Sequence, residues 1–153
     1  MMLIQMDGSN LESFYGQASK DIAEMIKYYP KDRDINIVCE SGGVEGGDTS
    51  ELEGEGNTRF TIDDTGISNC NKIEARNMGE KDTFELVGFD ACLMSNIETA
   101  NVINDYSKYM IASEDLEPED GWNYEWLSSL KSESNGEEIG NRYEEFYKDK
   151  DIS

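Results

Sequence analysis

The chain has 153 residues, 37% of them hydrophobic, with 34 acidic against 13 basic side chains and a net charge of −21. That length supports one domain with a real core, and apolar residues spread along it favour a globular α/β domain over disorder. The charge argues against nucleic acid or an anionic membrane as partner; it suits a cationic ligand or a polybasic substrate, or simply a soluble acidic surface.

The chain contains no histidine. This excludes a Cys-His or Ser-His dyad supplied from within it and removes the commonest metal ligand. Cys39, Cys70 and Cys92 show no CxxC pairing, so neither a zinc site nor a disulfide framework is expected, and at least one thiol is left over. No run is long enough to cross a membrane, and Met1–Met6 is too short for the apolar part of a signal peptide. A cytoplasmic chain, or one that has lost its true N-terminus, is the expectation.

Met2 to Met6 reads as a first strand, followed by turn and N-cap residues at Asp7-Gly-Ser-Asn10. Asp7 could line a site at the sheet's carboxyl edge, although a turn role suits it as well. From Leu11 to Tyr29 the apolar positions Ala18, Ile22, Met25, Ile26 and Tyr29 recur at helical spacing, and Pro30 stops the helix. Ile35 to Cys39 is a second strand, which makes a right-handed parallel strand–helix–strand unit. Glu40 to Asn57 is a glycine-rich acidic loop. Its many carboxylates make a calcium site conceivable, but they do not match the EF-hand spacing and a solvated loop is the better reading.

Thr58 to Ile62, Asp63-Asp-Thr-Gly66 and Ile67-Ser68 suggest a hairpin with a four-residue turn. Asn71 to Thr83 is polar, and the chain then enters an apolar run at Leu86-Val-Gly-Phe89 with the character of a strand buried on both faces. Parallel strands need a crossover of a dozen or more residues, commonly a helix. No amphipathic helix is evident between Cys39 and Leu86, so a core element looks absent.

Asp90 and Cys92 follow that strand, before a helix start at which Ser95 and Glu98 have capping-box spacing. In an open α/β sheet this carboxyl end is where ligands bind. A thiol there meets backbone N–H groups and the helix dipole, which favour the thiolate; the alternative is a buried cysteine acting as a small hydrophobe. Asn96 to Tyr106 reads as a helix with Ile97, Ala100, Ile103 and Tyr106 inward, and Tyr109 to Ser113 as another strand. It runs into the acidic loop Glu114 to Trp122, of a kind that often carries recognition. Trp126, Leu127 and Leu130 mark a short helix, and Ile139, Tyr143, Phe146 and Tyr147 a last one. No internal repeat or domain boundary is visible, so residues 1–153 read as a single domain.

Phe89-Asp-Ala-Cys-Leu-Met94, Tyr109-Met-Ile-Ala-Ser-Glu114 and Glu117-Pro-Glu-Asp-Gly-Trp122 together resemble the clostripain-like cysteine peptidases. Met6-Asp-Gly-Ser-Asn-Leu-Glu12, Asn77-Met-Gly79 and Asp82-Thr83 are also similar to that family and keep its order. The resemblance implies a caspase-like three-layer α/β sandwich with a mostly parallel central sheet and a Cys-His dyad. It makes Cys92 the nucleophile, and Asp90 and Asp120 the acidic pocket that selects arginine, or lysine, before the scissile bond. A carboxylate pair suits that task, since it grips a guanidinium by charge-assisted bidentate hydrogen bonds; turn-forming roles for both aspartates are the alternative. The implied partner is a basic peptide or protein, with no cofactor beyond a conceivable calcium ion. Relatives of this kind are often secreted.

One departure matters. The family carries its histidine on a strand between the Asn-Met-Gly motif and the cysteine strand, whereas here Thr83 runs straight into Phe84. The gap coincides with the missing crossover, so the sandwich is expected to lack one or more core elements and to leave neighbouring strands with an open edge. Three functions follow as expectations: a clostripain-like endopeptidase inactive without a base, a non-catalytic binder of arginine-containing peptides, and a receiver-like domain using Asp7 and Asp90. The last is disfavoured because the strand after Lys108 ends in Ser113-Glu-Asp115, with no lysine for phosphate chemistry.

Overall fold

A computed structural model describes residues 1–6, 16–31, 34–42, 57–73, 84–117 and 121–149. Asp7, Asp120, the Asn-Met-Gly motif and most of the glycine-rich acidic loop lie outside them.

Strand β1 (Met2–Met6) takes the centre of the sheet because its sequence is apolar on both faces. Helix α1 (Gln17–Lys27) follows it and buries Ala18, Ile22 and Met25, the stripe set by their spacing. The chain returns in β2 (Ile37–Gly42), two residues later than the apolar run suggests, parallel to β1. Strands β3 (Asn57–Asp63) and β4 (Gly66–Ile73) then extend the sheet as an antiparallel hairpin. Pairing closes at Asp63 opposite Gly66, so Asp63 to Gly66 is the four-residue turn expected, with Asp64 and Thr65 as its two central residues. The Asp63 carboxylate accepts from the Thr65 backbone N–H at 2.8 Å, a local bond that fixes this turn. Strand β4 runs on to Ile73, where the polar sequence suggested irregular chain.

Strand β5 (Phe84–Asp90) pairs parallel with β1, from Met2 opposite Leu86 to Met6 opposite Asp90. Helix α2 (Ile97–Ile103) and strand β6 (Ser107–Ile111) complete a second parallel strand–helix–strand unit. A 3₁₀ helix (Tyr124–Ser129) and helix α3 (Gly136–Asp149) end the described chain. The sheet has the order β4-β3-β2-β1-β5-β6, parallel at three of its five junctions. This is the mixed α/β, mostly parallel architecture expected of the sandwich.

The expectation of an open edge is corrected. The backbone groups of β1 that would face a gap take those of β5 as partners, and the sheet runs through unbroken. Between β2 and β5 the described residues hold only the β3–β4 hairpin.

Side chains alternate across the sheet with the period of two that extended backbone imposes. Met2, Ile4 and Met6 join Ile37, Cys39, Phe60, Ile62 and Leu86 on one face, covered by α1, the 3₁₀ helix and α3. Leu3, Val38, Val87 and Phe89 point the other way, where Ile103 of α2 joins them. Helix α2 covers little: Ile97, expected inward, is 77% exposed. Its cap is Asn96, whose side chain accepts from the Thr99 backbone N–H at 2.9 Å, and not Ser95.

Candidate active site

Leu86, Gly88 and Asp90 share one face of β5, so the strand's own alternation aims the Asp90 carboxylate at the side occupied by Trp122 and Tyr124. Gly88 leaves room there. A Cβ on it would stand 3.0 Å from Ile4 Cδ1 and equally close to two carbons of the Trp122 ring. With the glycine in place, the Trp122 ring comes close over the strand and its backbone N–H donates to Asp90 Oδ1 at 3.1 Å. The Tyr124 hydroxyl donates to Asp90 Oδ2 at 2.8 Å. Each carboxylate oxygen keeps a lone pair for a further donor.

Gly121 makes this approach possible. It adopts a left-handed conformation at φ 66°, and a Cβ would come within 2.9 Å of Asp21 Oδ2 and 3.3 Å of Asp90 Oδ1. The loop therefore passes between two carboxylates, one from α1 and one from β5. It is held from both sides: Glu24 of α1 accepts from the Tyr124 N–H at 3.1 Å, and the Tyr147 hydroxyl of α3 accepts from the Asn123 N–H at 2.8 Å. Tyr143 packs on Trp122 with ring centres 4.6 Å apart.

Cys92 is exposed in the turn after β5. Leu93 takes a left-handed conformation at φ 61°, which swings the chain away before α2 begins. The Leu93 N–H donates to the Asp115 carbonyl at 3.2 Å and the Ser95 N–H to the Ser113 carbonyl at 2.9 Å, stitching the turn to the segment that follows β6. The helix-dipole expectation is corrected here: α2 starts at Ile97, beyond its Asn96 cap, so the thiol does not sit on its first turn. The group that meets Cys92 Sγ is the backbone N–H of Glu117, at 3.2 Å. Nor is Cys92 the buried small hydrophobe; Cys39, fully buried against Met25, fills that role.

Glu117 was not singled out from the sequence. Its carboxylate accepts from Trp122 Nε1 at 3.2 Å, so one residue touches both the thiol and the tryptophan of the pocket. The Glu-Pro-Glu-Asp-Gly-Trp motif contains it, but nothing in a linear motif says that its first acid meets both the thiol and the indole.

The electrostatics are those of acids gathered away from water. Burial pushes the Asp90 carboxyl up to about 6, with the Glu117 charge adding to the shift, while the bonds from Tyr124 and Trp122 act in the opposite direction. Burial also raises Glu117, partly offset by the Trp122 indole. The Tyr124 hydroxyl is held well above its ordinary range, first by burial and then by the Asp90 and Asp21 charges. Tyr147 is pushed up to about 12, chiefly by burial. Among the described residues, no group of three or more histidine, cysteine or acidic side chains is placed to hold a metal ion.

Of the site residues expected from the sequence, Asp90 and Cys92 lie at the carboxyl end of one strand, two residues apart. Asp120 and Asp7 lie outside the described residues.

Comparison with curated proteins gives no match to the chain. The sequence pattern of the clostripain family matches residues 63–153, a span that holds β4 to α3 together with Asp90, Cys92 and the Glu114–Trp122 loop. With more than half of its length matched, the chain belongs to the clostripain family of cysteine peptidases.

Proposed function

We propose that this chain carries a clostripain-type site in which Asp90, with Asp120, takes the side chain of arginine or lysine and Cys92 is the nucleophile. The observation that carries the reading is the Asp90 carboxylate, held by Trp122 and Tyr124 two residues before an exposed thiol. Its remaining lone pairs can accept from the parallel N–H groups of a guanidinium, and its burial strengthens that attraction over one made in water.

Peptide hydrolysis at such a site needs a base to take the thiol proton and an acid to return it to the departing amine. With no histidine in the sequence, the chain has no imidazole for either task. Attack by the thiolate on the carbonyl carbon would form a tetrahedral adduct. Without a proton donor, that adduct expels the thiolate more readily than the amine and returns to substrate. Losing one member of such a catalytic unit costs on the order of 10⁴ in rate or more, so the chain by itself is inactive or nearly so.

A second reading is favoured by the way Asp90 is held. Its two bonds come from Trp122 and Tyr124 and not from the cysteine turn, so the pocket does not depend on the thiol. The protein is then a binder of arginine-containing peptides. The experiment uses the purified chain with a fluorogenic arginyl amide and, by calorimetry, an arginine-containing peptide. We expect no burst and no turnover, together with binding that Asp90→Asn and Asp120→Asn each weaken at least tenfold and Cys92→Ala leaves alone. Turnover abolished by Cys92→Ala would overturn the inactivity; absence of arginine-peptide binding would overturn the pocket.

A further inference from the structure

Four groups around the site form a chain of contacts that closes on itself. Asp90 Oδ1 accepts from the Trp122 backbone N–H, the Trp122 indole N–H donates to Glu117 Oε1, and the Glu117 backbone N–H donates to Cys92 Sγ. Cys92 and Asp90 are then joined through the covalent turn. Trp122 is the fixed point of the ring, 1% exposed and packed on Tyr143 and against Gly88. Glu117 carries two of the ring's contacts, its carboxylate accepting from the Trp122 indole and its backbone N–H donating to the thiol.

We propose that Glu117 is a positioning residue: its carboxylate, anchored on the Trp122 indole, keeps its own backbone N–H on the Cys92 sulfur. The physical reason is the preference of an N–H donor for the thiolate over the thiol, the sulfur analogue of a charge-assisted hydrogen bond. The side chain does not touch the sulfur in this role; it aims the backbone that does. The inference rests on the reading of Cys92 as the reacting thiol, and needs neither peptide hydrolysis nor arginine binding.

The effect of the Glu117 charge must be separated from that of its anchor. Among the described residues, the acids on the segments around the thiol are Asp90 at the end of β5, Glu114 and Asp115 after β6, and Glu117 itself. Removing the last of these charges favours the thiolate, whereas losing the N–H contact disfavours it. Glu117→Gln and Glu117→Ala both remove the charge, and only glutamine keeps an oxygen for the Trp122 indole. Comparing the two variants therefore isolates the anchor.

The experiment is alkylation of the full chain by iodoacetamide between pH 6 and 10, with the modified cysteine identified by peptide mass mapping. In the reaction the thiolate forms the S–C bond, iodide leaves, and the thiol proton has already gone to water. We expect Glu117→Gln to react at Cys92 at least as fast as the native chain. Glu117→Ala should react about tenfold more slowly than Glu117→Gln at pH 7.5. Coincident profiles for the two variants, or a faster alanine variant, would overturn the proposal. Should Glu117→Ala fail to fold, hydrogen exchange of the Glu117 amide decides: Cys92→Ala should speed it about tenfold, and an unchanged rate overturns the contact. Failure of the arginine pocket leaves both readouts intact, so the two ideas fail separately.

Discussion

Burial pushes the Asp90 carboxyl up to about 6, against the pull of the Tyr124 and Trp122 bonds. Because the folded value lies above that of an unfolded aspartate, the native chain binds this proton more readily between about pH 4 and 6. The stability linked to it is fully present below the unfolded value and is lost as pH rises through 6. At neutral pH, Asp90 is therefore a buried charge kept at a cost to the fold. Asparagine can keep both contacts, its oxygen accepting from the Trp122 N–H and its amide donating to the Tyr124 oxygen. Asp90→Asn should stabilise the protein by about 1–3 kcal/mol at pH 7.5, and by much less at pH 4.5, in thermal unfolding followed by circular dichroism. Arginine-peptide affinity follows the opposite course, since it needs the ionised form. In the native chain it should weaken steadily as pH falls from 7.5 to 5, as calorimetry will register, and a pH-independent affinity would remove Asp90 from the pocket.

At the scale of elements, helix α2 shows how tertiary bonds overrule a local signal. Ser95 and Glu98 have the spacing of a capping box, yet the Ser95 N–H is spent on the Ser113 carbonyl, which holds that residue in the stitching between turn and loop. The helix can start only after it. Asn96 takes over, its Oδ1 accepting from the Thr99 N–H and its Nδ2 donating to the Leu93 carbonyl at 3.0 Å. Asn96→Ala should cost about 1 kcal/mol in chemical denaturation, against less than about 0.5 kcal/mol for Ser95→Ala. Equal costs would restore the serine as cap. The same helix explains why its inward face was misjudged. Seven residues give two turns, and only Ile103 is buried, so a periodicity read over eleven positions assigns too many side chains to the core.

At the scale of the whole molecule, a net charge of −21 sets the solution behaviour. Some acids are paired, Glu40 with Arg59 at 2.8 Å across β2 and β3 and Glu85 with Lys108 at 2.7 Å, but acidic side chains outnumber basic ones more than twofold. Repulsion among the remainder weakens the compact state and is screened once the Debye length falls below their separations. Raising sodium chloride from 20 to 500 mM should therefore raise the thermal midpoint by several degrees while weakening arginine-peptide binding. A midpoint that falls with salt would mean that attractive pairs dominate. The sequence by itself determined the order of strands and helices, the place of the cysteine after a buried strand and the absence of an imidazole, because apolar periodicity, turn residues and composition are local properties. Only the tertiary structure decided that β5 closes on β1, since strand pairing joins residues more than eighty positions apart. It also decided that Glu117, and not a helix terminus, meets the thiol: that contact depends on where Trp122 comes to rest over Gly88.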